Sequence, residues 1–335
     1  MIRRRFFCFF AVLFLCAVFP LAAQRKVTIK LASLVPENTP WGMALNRMAE
    51  EWQRATNGDV ELIVYHNGVA GDEAEVLRKL NLNQIQAAVF TSIGLNSVMP
   101  EVMTLSYPLL IRDDGELEEV LGQLRPELDA KIEQNGFVTL AWARAGWVRI
   151  FSKAPVFTPA DLRRQKLGTS PDELKMMQAF KTIGFQMIPV NINDVLVSLN
   201  GGMIEAIYQS PIAVAAGQLF GVAPNMSTVN LAPFMGGIIM NRAAWRRIPE
   251  RHRPVLMEIC KRVEAEIDGS IAALESEAIS TMSQYGLVVN EPSASQKQEW
   301  IDEIAKYESN LAGPIFNGDM YRKIVDILTA YRKEQ

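Results

Sequence analysis

The sequence predicts an α/β protein that consists of two successive α/β blocks and one long helix. Short strand patterns alternate with helix patterns near the start of the chain, and the alternation resumes after Val148. Such alternation is typical of parallel α/β units. The segment 250–285 has a helix-forming composition that only Pro254 and Gly269 interrupt. The chain of 335 residues is longer than one hydrophobic core usually serves, which indicates two domains.

The first block begins with a strand at Val27–Ala32, where apolar and polar residues alternate. The next helix is predicted to start after Thr39, whose hydroxyl can cap it, with Pro40 in its first turn. Gly58 lies just past its predicted end. The remaining predicted elements of this block are strands at Val60–Tyr65 and Ala87–Thr91 and a helix over 73–82.

The second block is predicted from a helix start and the segments after it. Ser170 can cap a helix, Pro171 suits its first turn, and Glu173 completes a capping box. The elements that follow are a helix end at Gly184, a strand over 186–190, a helix from Asn193 or Asp194 to about 201, a strand over 204–208 and a helix start at Ser210. The long helix over 250–285 would then run ~45 Å, farther than one small lobe extends.

The first 23 residues have the three parts of a secretory signal. They comprise the positive residues Arg3 to Arg5, an apolar run over 6–19 and a small-residue cleavage site at 21–23. The apolar run is shorter than the ~20 residues of a membrane-spanning helix. A periplasmic protein is therefore predicted, and an uncleaved N-terminal anchor is the alternative.

The composition of the remaining chain excludes several partners and reactions. Residues 1–23 hold three arginines and no acid, so their removal changes the formal charge from −3 to −6. An acidic protein is a poor partner for nucleic acid. Of three cysteines only Cys260 remains, and the two histidines, His66 and His252, lie far apart. Because catalytic triads, CxxC, HExxH and EF-hand patterns and phosphate-binding loops are not found, we predict no enzyme, no metal and no cofactor.

Polar turns after the predicted strands are the candidate ligand-contacting positions. In open α/β sheets, ligands bind beyond the carboxyl ends of strands, where helix N termini direct N–H groups outward. Four such turns lie at 36–41, 91–92, 168–170 and 209–210. The aromatic residues near them are Trp41, Phe90, Trp142, Trp147, Tyr208 and Phe234. Four such turns favour a cleft between two lobes, and helix capping and core packing are the alternative roles of these residues.

Seven segments, taken in order, resemble the solute-binding subunits of TRAP transporters, the DctP-type family. They are KLASLVPENTPWG, GDEAEVLRKL, QIQAAVFTS, PLLIRDDGELEEVL, GWVRIFSKAPVFTPADL, IGFQMIPVNINDVLVSLNGGMIEAIYQSPI and GGIIMNRAAWRRIPE. The resemblance implies a two-lobed type II periplasmic-binding-protein fold with strand hinges and a long helix that crosses both lobes. It also implies closure around a bound solute and delivery to a sodium-coupled membrane permease.

On this fold we expect lobe I to comprise 25–147 plus 236–275, and lobe II 148–235 plus 276–335. Each lobe should contribute polar and aromatic side chains to the cleft. The expected contacts are stacking on Trp41, hydrogen bonds from Thr91, Ser92, Ser170 and Gln209, and wall contacts from Trp142, Tyr208 and Phe234.

One departure from the family concerns the ligand. Most members carry an arginine at the end of a D-L-x-G-x-K-x-R stretch, where it pairs with the ligand's carboxylate. In this chain the stretch is 161–168. Gly168 occupies the arginine position, and Arg164 occupies the glycine position. A buried carboxylate without a partner is costly, and glycine leaves volume empty. One hypothesis is therefore a wide site for a ligand with a substantial apolar portion.

Several alternatives remain open on the sequence alone. The ligand could be an amino or keto acid, with its carboxylate at the helix start after Ser170 or on Arg144 or Arg149. The protein could instead be a ligand or lipid carrier, or a receptor, that passes its ligand to a periplasmic partner protein. An enzyme on the same fold is the third alternative. The chain could be a monomer or a homodimer.

Overall fold

The computed structural model describes residues 26–335. The predicted signal over 1–23 lies outside the described residues. Between residues 26 and 335, no helix combines the length and the apolar character that a membrane crossing requires.

The strands form one extended sheet in two parts. The strands are β1 (Val27–Ala32), β2 (Val60–Tyr65), β3 (Ala87–Thr91), β4 (Phe137–Ser152), β5 (Lys166–Thr169), β6 (Gln186–Pro189), β7 (Ala206–Gln209), β8 (Asn225–Ser227), β9 (Ala232–Asn241) and β10 (Val288–Asn290). Their order is β2-β1-β3-β9-β4-β7-β5-β6, with β8 paired to both β4 and β10. The pairs β1·β3 and β5·β7 are parallel, as the alternating pattern predicts.

The helices pack around this sheet. They are α1 (Pro40–Ala55), α2 (Glu73–Asn81), α3 (Ser92–Asn96), α4 (Asp114–Gln134), α5 (Pro159–Arg163), α6 (Leu174–Thr182), α7 (Val195–Asn200), α8 (Pro211–Ala216), α9 (Arg242–Arg247), α10 (Arg253–Gln284), α11 (Ala294–Ala305), α12 (Glu308–Leu311) and α13 (Gly318–Glu334). Short 3-10 segments lie between several of them, among them Pro100–Ser106.

Strand β4 belongs to both parts of the sheet. Its residues 137–148 pair with β9, and from Arg149 onward it pairs with β7. The part around β1, β2, β3 and β9 is lobe I, and the part around β5, β6, β7 and β8 is lobe II. A register shift between Arg144 and Trp147 places two β4 residues opposite one β9 residue, which is a β-bulge.

Helix α10 also contacts both lobes. Its residues from Leu256 to Ile271 pack in the core of lobe I, with α1, β1 and β2. Near its end, Ile279 and Met282 pack in the core of lobe II, with β7 and α8. The prediction of a long helix that crosses both lobes is confirmed, and its 32 residues span about 48 Å.

Local caps explain why most elements begin where the sequence predicts. Strands β1, β2 and β3 have the predicted bounds. The Thr39 hydroxyl accepts from the Gly42 N–H at 3.1 Å, and Pro40 opens α1. Gly58, with φ +82°, follows the helix end in a conformation that favours glycine.

The predicted helix start at Ser170 is wrong. Helix α6 begins at Leu174, and no side chain caps it. The Glu173 carboxylate accepts instead from the Tyr208 hydroxyl and from Thr169 Oγ1. Because those bonds turn Glu173 away from the Ser170 N–H, the capping box does not form.

The last helix departs from the expected lobe limits. Helix α13 packs on α4 of lobe I, where Arg332 donates to Glu116 at 2.6 and 2.8 Å. In contrast, α11 packs on α5 of lobe II, where Trp300 Nε1 donates to the Phe157 carbonyl at 3.0 Å. The contacts of α13 therefore lie with lobe I, although 276–335 was expected in lobe II.

Candidate functional site

The candidate site is the cleft where the carboxyl ends of β1 and β3 in lobe I face those of β5 and β7 in lobe II. Parallel strands end at the same edge of each sheet, and β4 joins the two sheets beside this edge. The lobes contact one another at the rim, where Lys175 Nζ lies 3.5 Å from the Pro100 carbonyl oxygen. The arrangement is that of a solute-binding cleft at strand ends.

The lobe I side of the cleft is organised by Glu73 and Thr91. Glu73 is the first residue of α2, and Thr91 is the last residue of β3. The Glu73 carboxylate accepts from the Thr91 N–H at 2.5 Å and from its hydroxyl at 2.9 Å. The same hydroxyl accepts from the Ile93 N–H at 3.2 Å and so caps α3. Burial raises the pKa of Glu73 despite these bonds.

The lobe II side has a matching arrangement around Glu173. Its Oε2 atom accepts from the Tyr208 hydroxyl and from Thr169 Oγ1, and these two hydroxyls lie 2.6 Å apart. Thr169 ends β5, and Tyr208 is the next-to-last residue of β7. Burial raises the pKa of Glu173 and that of Tyr208. Among residues 26–335, Glu173 forms no salt bridge, and its other oxygen, Oε1, has no hydrogen bond.

Asp172 connects the electrostatics of the two sides. Burial is the main cause of the raised pKa of Glu73 in lobe I and of Glu173 in lobe II, and the exposed Asp172 carboxylate adds to both. Glu73 and Glu173 were missed in the sequence, because both read as residues of helix starts. The one sequence feature that could have indicated their role is their position next to the turns at the strand ends.

The two arginines proposed from the sequence have different surroundings. Arg144 pairs with Asp268 at 3.4 Å and with Glu118 at 3.7 Å, and its Nη1 atom is buried without a partner. Arg149 donates from Nε to Asn230 at 3.2 Å and forms no salt bridge within residues 26–335. Arg149 is also the register partner of Gln209, the last residue of β7. Of the two guanidinium groups, that of Arg149 has no carboxylate within salt-bridge distance among residues 26–335, although its charge lowers the pKa of Glu275 and of Glu291.

The expected empty volume at Gly168 is not found. Gly168 is buried in β5, and a Cβ there would lie 2.7 Å from Ile204 Cδ1 and 3.5 Å from Ile207 Cγ2. Ile204 therefore fills the space that glycine leaves. Gly168 pairs with Ile207, which lies two residues from Gln209 on the same strand face. Gly168 and Arg149 consequently share one face of the lobe II sheet.

The other predicted site residues have these positions. Trp41 is half-buried against the lobe I core, and Ser92 is buried in the first turn of α3. Ser170 Oγ accepts from the Asp172 N–H at 3.3 Å, and Gln209 Oε1 accepts from the Ser210 N–H at 2.9 Å. Thr91, Ser92, Ser170, Tyr208 and Gln209 thus lie at the strand ends that form the cleft.

Phe234 and Trp142 lie on the two strands that join the lobes. Phe234 is half-buried in β9, opposite the β4 bulge. Trp142 is buried in β4, and its indole Nε1 donates to Asp129 of α4 at 3.0 Å. The Trp142 indole therefore has no free donor for a ligand.

The arrangement defines a class of protein, a two-lobed solute-binding protein with strand and helix crossings between its lobes. The family model for DctP, described as bacterial extracellular solute-binding protein, family 7, matches residues 31–312. The chain belongs to this family. The members of the family are transport solute-binding proteins, and the recognition made from the sequence is confirmed.

Relatives of assigned function share about a fifth to a quarter of their residues with this chain. The C4-dicarboxylate-binding protein DctB of Bacillus subtilis is 22% identical over 312 residues, which cover 91% of this chain and 87% of that protein. The C4-dicarboxylate-binding periplasmic protein DctP of Rhodobacter capsulatus is 23% identical, with 87% and 88% covered.

Solved structures confirm the fold. A TRAP periplasmic solute-binding protein from Chromohalobacter salexigens, with bound D-glucuronate, superposes with a TM-score of 0.81 at 19% identity, covering 90% of this chain and 99% of that one. One from Sulfurospirillum deleyianum, with bound succinate, has a TM-score of 0.78 at 22% identity, covering 89% and 97%. The predicted two-lobed α/β architecture is therefore correct.

Proposed function

We propose that this protein captures one small solute in the cleft between its lobes, closes around it and delivers it to a TRAP membrane permease. The observation that carries the proposal is that β4 and α10 each belong to both lobes while the polar strand ends of the lobes face one another. Such a connection permits one lobe to rotate against the other while the crossing strand and helix keep the lobes joined. A ligand drives closure only by its greater affinity for the closed form.

The ligand class that the site supports best is a small organic acid. The solved relatives from C. salexigens and S. deleyianum hold D-glucuronate and succinate. In this chain Arg149 of β4 lies opposite Gln209, the last residue of β7, and its guanidinium forms no salt bridge among residues 26–335. Arginine binds carboxylates through two parallel hydrogen bonds. Arg149 would thus take the role that the family pattern gives to the position of Gly168.

The carboxylates of the cleft favour an acid that also carries hydroxyl groups. In their ionised forms, Glu173 and Glu73 only accept hydrogen bonds, so Glu173 Oε1 and the Glu73 carboxylate would receive them from ligand hydroxyls. A dicarboxylate would place a second charge toward them. A largely apolar ligand has less support, because Ile204 occupies the space beside Gly168 and the solved relatives hold polar acids.

The proposal is tested by isothermal titration calorimetry of the full chain with D-glucuronate, D-erythronate and succinate. Glucose serves as a hydroxylated control without a carboxylate. We expect at least one hydroxy acid to bind and Arg149→Gln to weaken that binding at least about 100-fold. The reason is that two charge-assisted hydrogen bonds contribute about 1.5–3 kcal/mol each, and a tenfold change in affinity corresponds to about 1.4 kcal/mol.

Arg164→Gln is the matched control, because Arg164 is an exposed arginine that pairs only with Asp161 in the described residues. Its affinity should equal that of the unchanged protein. Stoichiometric release of an apolar molecule from the purified protein, detected by native mass spectrometry, would contradict the ligand class. If Arg149→Gln leaves the binding of the acid intact, only the role of Arg149 is contradicted, and the ligand class stands. A cleft that holds no small molecule in either assay would contradict the solute-binding function.

A further inference from the structure

Three carboxylates of α10 cover one edge of strand β4. Within lobe I, β9 pairs with one edge of β4 only. On the other edge, Glu264 accepts from the Trp142 N–H at 3.0 Å and Glu275 accepts from the Trp147 N–H at 2.9 Å. Asp268 lies between them on α10, and its carboxylate is 3.4 Å from Arg144 Nε. We name Glu264, Asp268 and Glu275 the carboxylate row.

The spacing of the carboxylate row matches the spacing of the strand. Residues separated by four and seven positions lie on one face of a helix, and a rise of 1.5 Å per residue separates the row's members by about 6 and 10.5 Å. Two strand residues span about 6.7 Å and three about 10 Å. The bulge between Arg144 and Trp147 supplies the third residue. The bulge thus brings the Trp147 N–H into line with Glu275.

Glu275 differs from the other members of the row in its charge environment. Glu264 holds Arg125 through two bonds of 2.5 and 2.8 Å, and Asp268 holds Arg144. Glu275 is buried, forms no salt bridge within residues 26–335 and accepts a hydrogen bond only from a backbone N–H. Burial raises the pKa of Glu275, and its bond to Trp147 and the charge of Arg149 offset this only in part. Because no cation among residues 26–335 contacts this buried carboxylate, its burial is costly and calls for a role beyond stability.

Gly146 makes the space for this carboxylate. Its φ of +86° favours glycine, and a Cβ there would lie 2.4 Å from the Glu275 carboxyl group. Backbone conformation and side-chain space therefore both select glycine opposite Glu275.

Glu275 lies where both crossing elements pass from one lobe to the other. On β4, Val148 is the last residue paired with β9 and Arg149 the first paired with β7. On α10, Ile271 packs in lobe I and Ile279 in lobe II. The Glu275 bond to Trp147 thus joins strand and helix at the lobe boundary, whereas Glu264 lies inside lobe I.

We propose that Glu275 is a positioning residue for lobe closure: it holds β4 to α10 at the boundary, so that both elements bend together and lobe II rotates as one unit. The inference rests on the proposed function, because lobe closure is the motion that Glu275 would coordinate. Its test uses the protein without ligand, so its failure is distinguishable from a failure to bind solute.

The test measures the distance between two nitroxide labels by double electron–electron resonance. The labels are placed at Glu50 of α1 and Gln178 of α6, which are both exposed. The protein is the full chain with Cys8 and Cys16 replaced by serine. Cys260 is buried and stays. For the parent protein we expect narrow distance peaks, one for each populated arrangement of the lobes. Glu275→Ala and Glu275→Asp should broaden these peaks at least about twofold, since the first removes the acceptor and the second shortens it by one methylene.

Two further variants separate positioning from stability. Glu275→Gln retains a carbonyl oxygen for the Trp147 N–H and should restore the narrow peaks. Glu264→Ala removes a bond inside lobe I, so it should lower the melting temperature without broadening the peaks. An unchanged width in Glu275→Ala and Glu275→Asp, or equal broadening by Glu264→Ala, would overturn the proposal. If Glu275→Ala does not fold, the comparison of Glu275→Asp with Glu275→Gln decides it.

Discussion

At the scale of single residues, Gly168 shows how a substitution in a family pattern is absorbed by the surrounding core. The sequence indicates lost volume at this position, but the segment just before β7 supplies Ile204, whose Cδ1 occupies the space. Cores keep their packing density when one residue shrinks and another fills the gap. The identity of the filling residue depends on strand pairing, which the local sequence does not specify.

We expect Gly168→Ala to destabilise the protein and Ile204→Val to relieve that effect. The added Cβ would lie 2.7 Å from Ile204 Cδ1, the atom that valine lacks. Overpacking costs about 1–3 kcal/mol, of which about 0.4–1 kcal/mol is offset by the lower entropy of the unfolded chain. Ile204→Val alone should cost about 0.5–1.5 kcal/mol. Urea unfolding of both single variants and of the double variant measures the coupling, and strict additivity would contradict the contact.

At the scale of elements, the sequence predicts strands and caps better than it predicts contacts between helices. The alternation in β1 and the cap at Thr39 are local patterns, and the structure has both. The helix start at Ser170 failed because Glu173 bonds to Tyr208, a residue distant in sequence. Likewise the packing of α13 on α4 joins segments that are distant in sequence, and no local pattern specifies it.

The Arg332–Glu116 contact should control the attachment of α13 to lobe I. Glu116 is buried and accepts from Arg332 at 2.6 and 2.8 Å, and from the Arg112 N–H at 2.8 Å. Removal of one partner leaves a buried charge, which costs about 3–5 kcal/mol in a fully buried pair. Because Arg332 is one-third exposed, we expect Arg332→Ala to cost about 2 kcal/mol, within the range for hydrogen bonds to charged groups.

Urea unfolding measures that cost, and hydrogen exchange in α4 locates it. The control is Arg322→Ala in the same helix, because both side chains of the Arg322–Asp319 pair are exposed. Exposed pairs contribute about 0–1 kcal/mol, so the control should be nearly neutral. Equal effects of the two variants would mean that α13 is held by its apolar face alone.

At the scale of the whole molecule, the two lobes bring like charges together. Asp172 raises the pKa of Glu73 across the cleft and of Glu173 beside it, in addition to the effect of burial. At the rim, Lys175 of lobe II lies 3.5 Å from the Pro100 carbonyl oxygen of lobe I. Closure without ligand is therefore opposed by the carboxylates and favoured by the rim contact. A ligand that donates hydrogen bonds to the carboxylates would shift this balance toward the closed form.

This balance predicts that closure of the empty protein depends on pH and on Asp172. Because burial raises the pKa of Glu73 and of Glu173, both carboxyl groups gain protons at a higher pH than ordinary glutamates do. Their repulsion weakens as they gain protons, so the mean distance between labels at Glu50 and Gln178 should shorten as the pH falls. At neutral pH, Asp172→Asn should shorten this distance as well. The ratio of closed to open protein should rise by up to about fivefold, because an exposed charge contributes at most ~1 kcal/mol.

Glu299→Gln is the control, since Glu299 is an exposed acid of α11 in lobe II that has no hydrogen bond within residues 26–335. It removes the same charge from the same lobe at a distance from the cleft, and the label distance should not change. A shortening of equal size in Glu299→Gln would assign the effect to the net charge of lobe II, and no shortening in Asp172→Asn would remove Asp172 from the balance. In the expected case the pH dependence of Asp172→Asn is weaker than that of the parent protein. One of the three interacting carboxylates is gone, and the remaining two lose a neighbour whose charge adds to the effect of burial on their pKa.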